Sequence, residues 1–138
     1  MRCLIDTNIL IFLMSDSRVE LSLDVAEILS DYYNLLYVSS LSIIEIVFLL
    51  NNNKIRTKYR DAEGLIAAID KDYYVQTFQT KPEHIDVYAR LQPVDGHKDQ
   101  IDHFIIAQSI CEKMPLISSD RKFFGYREQG LDFIYNRR

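Results

Sequence analysis

Four acidic residues stand at similar places in the chain, just after an apolar stretch or in the opening turns of a predicted helix: Asp6, Glu45, Asp102 and Asp120. In a parallel α/β sheet, such positions collect along the edge where the strands' carboxyl ends form a ligand-binding crevice. Carboxylates that meet there repel one another, raise each other's pKa and attract a cation. The four residues therefore predict a cation site assembled from distant parts of the chain.

The available ligand types favour a hard divalent cation. None of the histidines joins the carboxylates in a spacing typical of zinc sites, and the two cysteines form no paired metal spacing either. Oxygen-only ligation suits Mg²⁺ or Mn²⁺, ions that accompany phosphate-bearing substrates. Such an ion lowers the pKa of bound water and orients a phosphodiester, so phosphodiester hydrolysis is the chemistry expected of this site.

Each of these carboxylates also has an ordinary structural explanation. Asp6 could cap the helix that follows it, while Ser42 and Glu45 have the spacing of a capping box. Negative charge at Asp99 and Asp102 suits the first turn of a helix. None of these roles requires the residues to meet in space, so convergence of the carboxylates is what favours the cation site.

The elements that must position these residues alternate between strands and helices. Strands are predicted at 2–6, 35–40, 73–78, 114–119 and 131–135, and helices at 20–33, 42–50, 61–71, 82–91 and 99–113. The uniformly apolar helix at 42–50 is expected to be buried, either in the core or at a dimer face, and the sequence does not separate these two alternatives. This order implies right-handed crossovers and a mostly parallel sheet with helices on both faces.

Length and composition narrow the class of protein. With 138 residues, 48% hydrophobic and 26% charged, the chain is expected to form one compact domain over 1–138. No apolar run approaches the roughly 20 residues that cross a bilayer, and no signal peptide is evident. Cys3 and Cys111 are expected to be buried free thiols, which favours the reducing cytoplasm. The net charge of −4 argues against broad, nonspecific nucleic-acid binding but leaves local binding open.

Several other sites are excluded by motifs that the sequence lacks. Neither GxxxxGK[ST] nor GxGxxG occurs, which argues against a glycine-rich loop that binds nucleotide phosphates. The GxSxG motif of a serine nucleophile is also absent. The stretch "DTNIL" lacks the second Asp that an aspartyl-phosphate phosphatase uses as its acid, and "YYVQTF" lacks a phosphorylatable Asp for a receiver domain.

Four segments together resemble the PIN-domain family, and in particular the VapC-like toxins of bacterial toxin–antitoxin pairs. In chain order they are "LIDTNIL", "SSLSIIEI", "DQIDHFIIAQSI" and "LISSDRKF". The resemblance implies a three-layer α/β/α fold and an endoribonuclease that depends on Mg²⁺ or Mn²⁺ and leaves a 5′-phosphate and a 3′-hydroxyl. It also implies a homodimer that a small antitoxin holds inactive.

The resemblance assigns roles to single residues. Its catalytic and metal-binding acids are Asp6, Glu45, Asp102 and Asp120. Asn8 matches the Asn that orients the first Asp, and Ser42 and Ser118 match the hydroxyl residues that precede the Glu and the last Asp. Where the family often has arginine, this chain has His103, which removes a positive charge beside the site. We expect no catalytic role for His103, and we expect Asp99 to cap its helix rather than bind the ion.

Positive charge near the site would hold the RNA backbone. Arg121 and Lys122 are the preferred contacts because they directly follow Asp120, whereas Lys54 and Arg56 are weaker candidates in a charged stretch that could simply be solvated.

Two rival functions stay open. One is a catalytically inactive PIN-like module that binds RNA or a protein, and the other is a metal-dependent nuclease acting on DNA.

Overall fold

The computed structural model describes residues 1–15 and 18–138, and a five-stranded sheet forms its centre. The strands are β1 (Arg2–Ile5), β2 (Leu35–Ser39), β3 (Val75–Phe78), β4 (Leu116–Ser118) and β5 (Phe133–Tyr135). They lie in the order β3-β2-β1-β4-β5, and every neighbouring pair is parallel. The predicted strands and the parallel sheet are therefore confirmed.

Helices connect the strands. They are α1 (Thr7–Met14), α2 (Leu23–Ser30), α3 (Ser40–Asn51), α4 (Ala62–Lys71), α5 (Pro82–Arg90) and α6 (Gln100–Glu112), with 3₁₀ helices at Arg18–Glu20 and Arg121–Gln129. The helix predicted over 20–33 is shorter, because the Asp31 carboxylate accepts the Tyr33 N–H at 2.9 Å and turns the chain. Within the described ranges, no helix is long and apolar enough to span a bilayer.

The sheet separates two apolar cores because side chains alternate along each strand. Cys3 and Ile5 of β1 pack on one face, in a core that α1, α2 and α4 cover. Leu4 points to the other face and packs with Ile105 of α6 and with Phe123 of the second 3₁₀ helix. The result is the expected three-layer α/β/α fold, and its middle strand is buried from both sides.

Helix α3 differs from its prediction in two respects. Only Ser42 and Ile46 are buried, while Ile44 and Phe48 are 61% and 62% exposed. The capping-box interpretation of Ser42 is also wrong, because β2 runs directly into the helix and Ser39 caps it by accepting the Leu41 N–H at 3.2 Å. Ser42 therefore lies inside the first turn, one turn before Glu45.

The strand order creates a crevice at the carboxyl edge of the sheet. From the central β1 the chain builds β2 and β3 to one side, and it later adds β4 and β5 to the other. Such a reversal leaves a gap between helices above the carboxyl ends of the two strands that flank it. Here those strands are β1 and β4, and the residues that follow them are Asp6 and Ser119.

Candidate metal centre at the carboxyl edge of the sheet

Asp6 joins β1 to α1 and is only 3% exposed. Its N–H donates to the Ile117 carbonyl of β4 at 2.9 Å, which fixes the residue between the two strands. One carboxylate oxygen, Oδ1, accepts the Thr7 N–H at 2.8 Å. Asp6 therefore caps α1, which is the structural role that the sequence suggested for it. The second oxygen, Oδ2, takes no part in the cap, so capping does not exclude a role in the predicted site.

Ser118 and Asn8 surround that second oxygen. The Ser118 hydroxyl donates to Asp6 Oδ2 at 2.6 Å, and the Asn8 side-chain amide donates to it at 3.3 Å. Ser118 Oγ also accepts the Asp120 N–H at 3.0 Å, and Asn8 Oδ1 accepts the Ser119 N–H at 3.4 Å. These bonds tie the loop after β4 to the loop after β1.

The other carboxylates approach Asp6 from two helices. Glu45 is half-buried on α3, and Asp102 is half-buried in the first turn of α6. Asp99 caps α6 as expected, since its Oδ1 accepts the N–H groups of Ile101 and Asp102 at 3.0 and 3.2 Å.

Two of the carboxyl groups ionise with difficulty in this environment. The pKa of Asp6 is raised to about 7, mainly by burial and in part by the charges of Asp102 and Glu45, while the hydrogen bonds from Ser118 and Thr7 oppose the rise. The pKa of Asp102 is also raised to about 7. Burial is the main cause, and repulsion from Asp99, Asp120 and Glu45 contributes to the same rise. The acids predicted from four distant segments are thus close enough to repel one another.

Asp120 completes the group from the loop after β4. Its Oδ1 accepts the Lys122 N–H at 2.9 Å, which starts the 3₁₀ helix. Ligand atoms of Asp120, Asp102 and His97 all lie within 4.8 Å of one another. This spacing allows several side chains to share a single divalent cation or its bound waters.

His97 is the site residue that sequence reasoning missed. Its spacing in the sequence does not link it to the carboxylates. In the structure it is 4% exposed, and its Nε2 lies 3.0 Å from Asp102 Oδ2. The residue belongs to the loop before α6, where neither helical nor strand periodicity indicates which side chains face the site. Its position just ahead of the capping residue Asp99 was the one available signal.

The predicted basic contacts occupy two different places. Arg121 and Lys122 are exposed directly beyond Asp120, and the Lys122 charge lowers the raised pKa of Asp102. Lys54 and Arg56 are also exposed, but they follow the far end of α3, a helix whose 12 residues span about 18 Å. The structure therefore brings Lys122 to the acidic group and leaves Lys54 and Arg56 near the opposite edge of the sheet.

The donor set fits a hard divalent cation. Four carboxylates offer oxygen ligands, and two of them have raised pKa values that a bound cation would lower. The hydroxyls of Thr7 and Ser42, in the first turns of α1 and α3 at this edge, are buried without a hydrogen-bond partner among the described residues. Water or a ligand in the crevice would supply partners for such groups.

Comparison with known proteins assigns the family. The family model of the PIN domain matches residues 3–128. The chain belongs to the PIN domain family. No protein in the curated set matches it by sequence.

Solved structures share the fold of this PIN domain at low sequence identity. A chain of VapBC2 from Rickettsia felis, bound to a DNA fragment from its promoter, is 16% identical with a TM-score of 0.70, and 99% of each chain is covered. A chain of VapBC-1 from nontypeable Haemophilus influenzae is 19% identical with a TM-score of 0.67 and 98% coverage of each chain. For VapBC-5 from Mycobacterium tuberculosis the identity is 16%, the TM-score 0.60, and the coverage 99% of this chain and 98% of that one.

The raised carboxyl pKa values predict how pH affects the stability of the metal-free domain. In the unfolded chain Asp102 titrates near its usual pKa of about 3.9, whereas in the folded protein its pKa is about 7. The folded state therefore holds the extra proton between these values, and its stability falls as pH rises through that window. With the metal removed by EDTA, Asp102→Asn should raise Tm at both pH values, and it should raise Tm clearly more at pH 8 than at pH 5, where only part of the window has been crossed.

Differential scanning fluorimetry of both proteins with EDTA or Mn²⁺ checks this prediction. Saturating Mn²⁺ should raise the Tm of the parent much more at pH 8 than at pH 5, and more than that of Asp102→Asn. An Asp102→Asn effect of equal size at both pH values in EDTA would contradict the raised pKa.

Proposed function

We propose that this PIN domain is a Mg²⁺- or Mn²⁺-dependent endoribonuclease and the toxin of a toxin–antitoxin pair. The observation that carries the proposal is the convergence of Asp6, Glu45, Asp102 and Asp120 at the crevice between β1 and β4. These four carboxylates would hold a divalent cation, which when bound would supply an activated water and neutralise charge on the scissile phosphate.

The protein's own residues would divide the remaining tasks. Ser118 and Thr7 hold the Asp6 carboxylate in one orientation, so its position does not depend on the bound ion. Glu45 and Asp102 come from separate helices and lie closer to solvent, where the ion and the substrate would enter. Lys122 lies beside the acids and would contact a phosphate next to the one that is cut.

Matched RNA and DNA oligonucleotides test the proposed activity. The parent should cleave RNA with Mn²⁺, should stop in EDTA and should leave the DNA intact. Asp6→Asn should lower the rate at least about 100-fold, because even outer partners of metal ligands contribute about 10–100-fold. Asp86→Asn, an exposed acid on α5, serves as the matched control and should keep the parental rate.

Other outcomes separate the rival functions. Cleavage of DNA at a similar rate would favour the broader nuclease. Absence of cleavage together with absence of Mn²⁺ binding in calorimetry would favour the inactive binding module, since an enzyme of this kind must bind the ion. Parental RNA cleavage by Asp6→Asn would refute the assignment of the acidic group.

A protein partner is the second part of the proposal. The similar structures named above include VapBC toxin–antitoxin complexes. In this chain the acidic crevice would accept an arginine of an antitoxin, since a guanidinium pairs with a carboxylate through two hydrogen bonds. Such an arginine would occupy the place of the cation and block cleavage.

An apolar groove offers this antitoxin a second contact. It has a volume of about 960 Å³ and is lined by Leu13, Leu21, Ala26, Leu29, Leu36 and Tyr73. Asp31 and Asp72 lie in the same lining and favour a partner segment that carries basic residues between apolar ones. Helix α1 begins at the acidic crevice and ends at this groove, about 12 Å away, so about four extended residues would join the two contacts.

Expression together with any small protein that is encoded next to this chain tests the partner. The two should co-elute, and the complex should cleave RNA more slowly than the free domain. Leu29→Glu should weaken the complex because it places a charge in the groove, whereas Ile85→Glu on exposed α5 should not. Recovery of the domain without a bound partner in every preparation would contradict the proposed docking. Equal binding of the partner by Leu29→Glu and Ile85→Glu would also contradict it.

A homodimer is the third part of the proposal, and α3 supplies its surface. Ile44 and Phe48 are one helical turn apart and both more than half exposed. Large apolar side chains that share an exposed helix face are typical of protein interfaces.

Light scattering during size-exclusion chromatography tests the dimer. The parent should elute with twice the mass of one chain, and Phe48→Glu should elute as a monomer because it buries a charge in the interface. Ile85→Glu, at a similarly exposed position on α5, should stay dimeric. A monomeric parent at every concentration would rule out this role for α3.

A further inference from the structure

The direction of the hydrogen bonds around Tyr126 fixes the protonation pattern of His97. Tyr126 is fully buried, and its hydroxyl oxygen accepts the Val94 N–H at 3.1 Å. Its own hydrogen needs an acceptor, and His97 Nδ1 lies 2.7 Å away. Since a buried hydroxyl rarely leaves its hydrogen unpaired, Tyr126 donates to Nδ1, and that ring nitrogen carries no hydrogen in the neutral imidazole.

The remaining ring hydrogen of His97 therefore sits on Nε2 and points at Asp102. The distance from Nε2 to Asp102 Oδ2 is 3.0 Å, as expected for an N–H donating to a carboxylate. His103 holds the loop in place, because its Nε2 donates to the His97 carbonyl at 3.0 Å when that nitrogen carries the ring hydrogen. His103 thereby has a structural role behind the site, which agrees with the expectation that it is not catalytic.

This arrangement argues against His97 as a ligand of the cation. Its donor atom lies within 4.8 Å of those of Asp102 and Asp120, a spacing that would suit a shared ion. Ligation through Nε2 would move the hydrogen to Nδ1, which would then compete with the Tyr126 hydrogen for the space between the two groups. The buried Tyr126 hydroxyl would then have no acceptor for its hydrogen, because its oxygen already accepts the Val94 N–H.

The consequence for Asp102 is a fixed orientation. The His97 N–H occupies Oδ2, which leaves Oδ1 to face a cation. A neutral imidazole orients the carboxylate without neutralising it, whereas an arginine at this place would reduce its attraction for the ion. Outer groups of this kind commonly set the geometry and affinity of metal ligands.

We infer that His97 is a positioning residue for Asp102, locked as the Nε2–H tautomer by Tyr126, and that it strengthens cation binding without touching the cation. The inference rests on the proposed function, in which Asp102 binds a divalent ion. It assigns the Val94–Tyr126–His97–Asp102 chain of hydrogen bonds a role that neither the family match nor the acidic motif implies.

Calorimetric titration of the full chain with Mn²⁺ tests this role through affinity rather than activity. His97→Phe should weaken binding about 10–100-fold, the usual effect of losing an outer partner. His97→Gln keeps an N–H donor near Asp102 and should recover most of the affinity. Tyr126→Phe keeps the buried ring but frees the His97 tautomer, so its affinity should fall between those of His97→Gln and His97→Phe.

His84 provides a matched control in the same chain. It is also fully buried, and its Nε2 lies 2.8 Å from the Glu112 carboxylate, which is ten residues and about 15 Å along α6 from Asp102. His84→Phe should lower Tm, as the loss of a buried histidine–carboxylate pair does, yet leave the Mn²⁺ affinity of the acidic site unchanged, although His84 itself lies within 4.8 Å of potential ligand atoms of Cys111 and Glu112. Equal Mn²⁺ affinity in His97→Phe and His84→Phe would overturn the inference.

Spectroscopy of the parent gives an answer even if His97→Phe does not fold. The ¹⁵N spectrum of histidine-labelled protein in Mg²⁺ should show His97 as the Nε2–H tautomer, and Tyr126→Phe should show a mixture. Electron spin-echo spectra of bound Mn²⁺ should show no directly coordinated nitrogen. An Nδ1–H tautomer or a nitrogen bound to Mn²⁺ would overturn the inference, whereas missing RNA cleavage would overturn only the proposed function.

Discussion

Repulsion between carboxylates at the carboxyl edge of the sheet is the constraint on which the rest of the structure depends. Asp6 and Asp102 both have a pKa of about 7 because they are buried next to other acids. The two apolar cores hold these groups together, since each acid is anchored to a strand end or helix start that packs in the interior. A bound divalent cation would relieve this repulsion.

The helix N-termini also affect the electrostatics of the acidic site. Helix N-termini carry a partial positive charge of roughly half an elementary charge. Helices α1, α3 and α6 all begin at this edge, with Asp6, Ser39 and Asp99 as their caps. Capping and convergence are therefore not alternatives in this fold, because helices that follow parallel strands start where the strands end. Asp6 shows this directly, with one oxygen on Thr7 and the other on Ser118.

Much of the fold follows from local signals. Short apolar runs bounded by polar residues marked all five strands, and Pro82 marked the first turn of α5. The acids could be found because each follows a strand or opens a helix. His97 could not, because its approach to Asp102 depends on a loop whose path is set by contacts with Tyr126 and His103. The sequence left open whether α3 lies in the core or reaches an interface, since a helix that is apolar on all sides gives no indication of which side is covered.

Anomalous diffraction from crystals of this domain grown with Mn²⁺ tests the central claim most directly. We expect a strong peak in the crevice between β1 and β4, from an ion bound directly or through water to Asp6, Glu45 and Asp102, with His97 outside the coordination sphere. Crystals in saturating Mn²⁺ that show no peak among these carboxylates, or a peak only elsewhere on the molecule, would contradict it.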